Sequence, residues 1–182
     1  MEESTKEQRE YEQKVRLYET ATDERKLELD LFWKRSTFFW AFIASSFVAY
    51  AALKDDITLR LFVASFGLIC SLAWTLANRG SKYWYEMWEK KVEAAQNDVI
   101  GQNIYEKTYP ANHPGRAWSG KRYSVSRLAI GLSDFTVIIW SMLFIITATK
   151  QCYTPTNWPA LAAIFATIIY ALSLLRGGRS AF

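Results

Sequence analysis

The sequence predicts an all-α membrane protein, with four transmembrane helices arranged as two hairpins and with N-terminal and central amphipathic cytoplasmic helices. The first observation behind this is a set of four long apolar runs. Ser36–Leu53, Leu61–Asn78 and Gln151–Leu175 carry no charge, and Leu128–Thr149 carries only Asp134. About 18 or more such residues suffice to cross a bilayer core as a helix. The second is the distribution of Lys and Arg. Of 22 such residues, only Lys54, Arg60 and Lys150 fall in the two short turns between paired runs. The positive-inside rule therefore puts both termini and the middle segment in the cytoplasm.

These runs divide 182 residues into a cytoplasmic N-terminal helix (1–35), hairpin one (36–78), a cytoplasmic amphipathic helix and loop (79–127), hairpin two (128–175) and a short tail (176–182). Nothing left over is long enough for a second globular core. The start, Met1-Glu2-Glu3-Ser4, is acidic and no short apolar segment with a cleavage site follows. The first span is expected to act as its own insertion signal. The net charge of +4 reads as topology. Nucleic-acid binding is not expected, because acids outnumber bases in the N-terminal segment and interrupt any basic face.

Residues 4–30 lack Pro and Gly, and Tyr11, Val15, Tyr18 and Thr22 share a narrow helical face. Thr20-Ala21-Thr22-Asp23 weakens that face before Leu27 and Leu31 resume it. Trp33, Lys34 and Arg35 have the aromatic-plus-basic character of interfacial anchors. Inside the spans, Ala41, Ser45 and Ala49, and likewise Gly67 and Ser71, put small residues four apart, which allows helices to approach closely in lipid.

After span two, Gly80 is placed to stop or bend the helix and Ser81 to cap the next. Trp84, Trp88, Val92, Ala95 and Val99 then form one face of an amphipathic helix ending near Gly101. Glu86 and Lys90 form a favourable i, i+4 pair on it. A loop with Pro110, Pro114, Gly115 and Gly120 follows, and Lys121, Arg122 and Arg127 anchor span three. Pro155 and Pro159 flank Asn157-Trp158 in the last turn. Cys70 lies within a span and Cys152 in a turn, at depths too different for them to pair.

The stretch from Ser71, SLAWTLANRGSKYWYEMWEKKVEAAQNDVIGQNIYEK, resembles the signature of the RipA-type family of bacterial inner-membrane proteins. The resemblance rests on Trp74, Asn78-Arg79-Gly80-Ser81-Lys82, Trp84, Trp88-Glu89, Gly101 and Tyr105, supported by Arg35–Trp40 and Tyr123–Arg127. It touches most of the chain, but its specific part is the segment between Trp74 and Tyr105. It implies a homo-oligomer, an octamer, in the bacterial inner membrane, with no chemistry and no catalytic residue to carry over.

Asn78, Arg79, Lys82, Trp84, Trp88 and Val92 are the oligomer-interface candidates. Arg79 and Lys82 would sit at headgroup depth and the tryptophans against a neighbour. The competing reading is an interfacial helix lying on its own bilayer. Asp134 is the intramembrane polar candidate, because an ionisable group at membrane depth is costly and marks function by default. It could line an ion or proton path on a symmetry axis, or be satisfied privately, with Ser71 or Ser133 as nearby partners. His113 stands alone in a Pro-rich loop, so no metal site is expected. No nucleotide or hydrolase fingerprint appears, and no catalytic or cofactor-binding residue is expected. The expected function is a non-enzymatic membrane assembly, scaffold or regulator whose partners are its own copies and membrane lipids. The alternative is an oligomeric pore or channel, and a membrane enzyme ranks last.

Overall fold

The computed structural model describes residues 2–100, 124–152 and 157–177. Among them the chain forms four helices: α1 (Glu2–Ala52), α2 (Ile57–Ile100), α3 (Val125–Cys152) and α4 (Trp158–Gly177). The loop expected over 105–122, with His113, and most of the last turn lie outside the described residues.

The helix ends follow local chemistry. Asp56 caps α2, its Oδ1 accepting from the backbone N–H groups of Thr58 at 3.0 Å and Leu59 at 2.9 Å. These are two of the donors that a helix start leaves without partners. Asn157 does the same for α4 through Ala160 N at 3.5 Å. Its Nδ2 also donates to Thr58 Oγ1 at 3.0 Å, which holds the starts of α2 and α4 level. Pro159 falls in the first turn of α4, where its missing N–H costs nothing. The fourth apolar run begins at Gln151, but Gln151 and Cys152 belong to α3, and α4 starts at Trp158, as the Asn157-Trp158 pair between two prolines leads one to expect. Cys152 is thus in the last turn of α3, not in a turn between helices.

The expected interruption at Gly80 is absent, and the weakened apolar face at Thr20–Asp23 leaves α1 continuous. Thr20–Asp23 is helical, with Thr22 Oγ1 donating to Tyr18 O at 2.8 Å. Gly80 sits inside α2, and Ser81 is buried rather than capping. A lone glycine costs a helix about 1 kcal/mol, less than packed turns on both sides return. Nothing lies within 4 Å of a Cβ built at Gly80. Gly80→Ala is therefore expected to stabilise the protein by about 0.5–1 kcal/mol, read by thermal unfolding in detergent. An unchanged or lowered transition would mean that the glycine is needed for bending.

The helices belong to two compact units. The first contains α1 up to Leu31 and α2 from Ser81. Ala21, Val92, Ala95 and Gln96 are buried there. Trp84 was expected on this face, but it is 36% exposed and half-buried Tyr85 takes its place. Steps of four residues drift about 40° around a helix, so Trp84 is about 80° from Val92. Tyr85, Trp88, Val92 and Ala95 keep closer register. Tyr11 at the other end is also exposed, and Ala21 is the buried residue of α1's face.

The second unit holds α1 from Phe32, α2 up to Gly80, α3 and α4. Its core is Tyr50, Leu61, Ala64, Leu68, Trp140, Phe144 and Ala160. Trp140 lies between Phe47, at 4.5 Å between ring centroids, and Tyr50, which meets it edge-on at 6.0 Å. Its indole rests directly on Gly67. Tyr50 and Thr147 share a buried hydroxyl–hydroxyl bond of 2.8 Å between α1 and α3. A smaller cluster joins Ile43, Cys70 and Trp74.

Three helices are long and apolar enough to cross a membrane: α2, α3 and α4. The sequence led us to expect four. In α1 the apolar part, Ser36–Ala52, is diluted by Ser36, Thr37, Ser45 and Ser46, which lower its hydropathy below that of the other three helices.

Candidate functional site

The densest polar constellation lies at one end of the second unit, where α1, α2 and α3 meet. Asn78 is 2% exposed. Its Oδ1 accepts from Ser36 Oγ at 3.2 Å, and its Nδ2 lies 3.3 Å from Ser133 Oγ and 3.4 Å from Ala129 O. Trp74 Nε1 donates to Ser36 Oγ at 3.3 Å. One amide therefore bridges three helices, and a satisfied polar network of this kind specifies a single packing.

Asp134 lies beside it. Arg79 Nη2 donates to Asp134 Oδ2 at 2.9 Å, and Thr75 Oγ1 donates to Oδ1 at 3.3 Å. The expected serine partners are engaged elsewhere. Ser71 donates to Gly67 O at 2.8 Å, and Ser133 donates to Ile130 O at 2.8 Å while receiving from Asn78. Asp134 thus has its partners within its own chain, which weakens the case for an ion path. Thr75 and Arg79 stand on α2 at one and two turns' spacing from Ser71, a register that pairs them with α3.

In the first unit, Lys82 pairs with Glu86 at 3.5 Å. The sequence had matched Glu86 with Lys90 instead, but Lys82 is one turn away on the other side and equally placed to reach it. Arg25 donates to the Tyr85 hydroxyl at 3.3 Å and lies 4.0 Å from Glu89. Trp88 carries Lys91 Nζ 4.3 Å above its ring, a cation–π contact. Leu17, Thr20, Ala21, Trp88 and Lys91 border a cavity of about 410 Å³. Trp84, packed edge-on against Tyr83, is exposed, as are Tyr83 and Arg79. Val92, 1% exposed, and Asn78 are taken up by contacts within the chain.

The two small-residue faces diverge. Gly67 and Ser71 are buried inside the chain. Ala41 and Ser45 are exposed, and Ala49 is half-buried. Ser45 and Ala49 border a groove of about 350 Å³ with Phe42, Ser46, Phe62 and Phe66. Cys70 is a free buried thiol. Among the described residues, no group of three His, Cys, Asp or Glu could hold a metal ion.

A helical chain whose apolar spans are stitched by side-chain hydrogen bonds is the build of a membrane protein, where lipid offers no competing partner. A family model for octameric membrane proteins (8xMP) matches residues 15–149, and the chain belongs to that family. It is accordingly a homo-oligomeric membrane protein, and the RipA-type resemblance is compatible with this. No curated protein and no solved structure matches it.

Proposed function

We propose that this chain is a non-enzymatic, homo-octameric assembly of the bacterial inner membrane, acting as a scaffold or regulator. Four spans cross the bilayer, with both termini cytoplasmic. In this reading Ser36–Ala52 also spans. It is about 26 Å long as a helix, and local thinning together with the Trp33-Lys34-Arg35 anchors accommodates the shortfall. The bias of Lys and Arg towards the termini and middle segment supports the orientation.

The observation that carries the non-conducting reading is the private pairing of Asp134 with Arg79 and Thr75. The charge of this span is neutralised within its own copy, although the pair stays partly exposed, and that disfavours a ring of free carboxylates on an axis. Trp84 then serves the contact between copies in the first unit, because it is exposed together with Tyr83, its edge-on neighbour in the Asn78–Trp88 motif.

Native mass measurement in lipid nanodiscs is expected to give eight copies of the 21.0 kDa chain. Trp84→Ala with Trp88→Ala is expected to lower that number. The same particles in planar bilayers are expected to stay electrically silent. A steady conductance would replace the scaffold by the pore, and an intact octamer of the double variant would remove the tryptophans from the interface.

A further inference from the structure

The surface of α4 reads as three sectors. Ala160, Ala163 and Thr167 are buried against the chain's own core. Phe165, Ile168, Leu172 and Leu175 are exposed and apolar, as a lipid-facing sector should be. Between these sectors, at 100° per residue, Ala162, Ala166, Tyr170 and Ser173 share a third strip, and all four are exposed. Two alanines four apart let another helix come close. Beyond them stands one large aromatic with a hydroxyl.

Most hydroxyls in these helices are satisfied. Thr167 donates to Ala163 O at 2.7 Å, Ser46 to Phe42 O at 2.7 Å and Thr136 to Leu132 O at 2.8 Å. Tyr170 and Ser173 make no hydrogen bond among the described residues, and neither does exposed Ser45 on α1. A serine can turn back to its own helix backbone. Tyr170 cannot reach its own. It is 55% exposed, and it stands about three turns from the start of α4 and about two from its end. Its side chain leans towards the helix N-terminus, deeper into the span and away from the interfacial level where tyrosine is at home. Lipid tails offer that hydroxyl no partner.

We infer that the Ala162–Ala166–Tyr170 strip of α4 docks on the Ala41–Ser45–Ala49 face of α1 in the next copy, with Tyr170 as the knob and the groove beside Ser45 as the hole. This rests on the octameric reading. A closed ring built by head-to-tail contacts requires two different complementary faces on each copy. The chain presents two such faces within its spans. Each has small residues four apart and each has an unpartnered hydroxyl, but one carries a projecting ring and the other a groove of about 350 Å³.

Their depths agree. Ala166 lies about 12 Å and Tyr170 about 18 Å along α4 from Trp158, while Ser45 and Ala41 lie about 10 Å and about 16 Å along α1 from Ala52. The bond from Asn157 to Thr58 and the short turn before α2 keep those helix ends level. The lean of Tyr170 therefore carries its hydroxyl towards the level of Ser45. Its ring meets the groove that Phe42, Phe66 and Ser45 border, where Ala49 leaves room.

The test uses the full chain in native membranes, with Cys70→Ala and Cys152→Ser as background. Oxidising the pair Ser45→Cys and Ala166→Cys is expected to give a covalent ladder reaching eight chains, and either single variant none. An octameric native mass without a ladder would sink this contact and leave the octamer standing. A single-chain native mass would sink both. A cross-link confined within one chain, or labelling of Ala166→Cys by a membrane-impermeant maleimide, would also overturn the inference. The maleimide result would place the strip on a water-filled axis. Tyr170→Phe removes the hydroxyl but keeps the ring, and is expected to weaken association about threefold per contact. Unaltered association would count against the hydrogen bond and the docking built on it.

Discussion

Replacing Gly67 by alanine is expected to loosen the junction of α2 and α3 more than any other single-methyl change. A Cβ at this position would collide with the Trp140 indole. Trp140 cannot retreat, because it is fully buried between Phe47 and Tyr50. Overpacking of this kind costs about 1–3 kcal/mol, and a leucine would cost more. Thermal unfolding of the full chain in detergent measures the loss. Gly67→Ala combined with Trp140→Phe should recover part of it, since the smaller ring returns the space. A fully additive pair would show that the two residues are not in contact. The small residue at 67 thus serves packing within a chain rather than between chains.

Asn78→Ala is expected to follow closely in effect. It strips a partner from Ser36 on α1, and from Ser133 and the Ala129 carbonyl on α3. Interhelical hydrogen bonds in membrane proteins average about 0.6 kcal/mol each, and deleting one partner leaves buried groups unsatisfied. A loss of about 1–3 kcal/mol is expected. A double-mutant cycle with Ser133→Ala should show coupling, and strict additivity would show that the bond contributes nothing. Protein that remains folded should keep its native oligomeric mass, in contrast to the tryptophan variant. Loss of the octamer without loss of chain stability would instead return Asn78 to the interface.

Much of this was legible in the residues, for identifiable reasons. Charge-free length is a one-dimensional property, so α2, α3 and α4 announced themselves as spans. Asp56 and Asn157 act on backbone groups two or three residues away, so the ends they cap lie within reach of local reading. The Asn78–Trp88 motif was visible because its residue types are unusual where span and soluble segment join.

What failed to read was set by partners distant in the chain. Gly80 looks like a breaker, but helical packing on both sides carries α2 through it. Trp84 fits a four-residue stripe on paper, yet the drift of the helix brings Tyr85 to Arg25 instead. Asp134 looked like a lone intramembrane acid. Its arginine and threonine lie on another helix, at sequence separations of 55 and 59 residues.

By itself the sequence determined that the chain is helical, that it lives in a membrane and that it belongs with proteins that assemble as octamers. Those properties follow from apolar length, charge placement and motif, which sum along the chain. Only the tertiary structure decided which polar residues are taken up inside one copy and which remain without a partner. The reason is physical. A hydrogen bond in an apolar span is made or missed according to what a neighbouring helix brings within about 3 Å, and no single helix's sequence contains that distance.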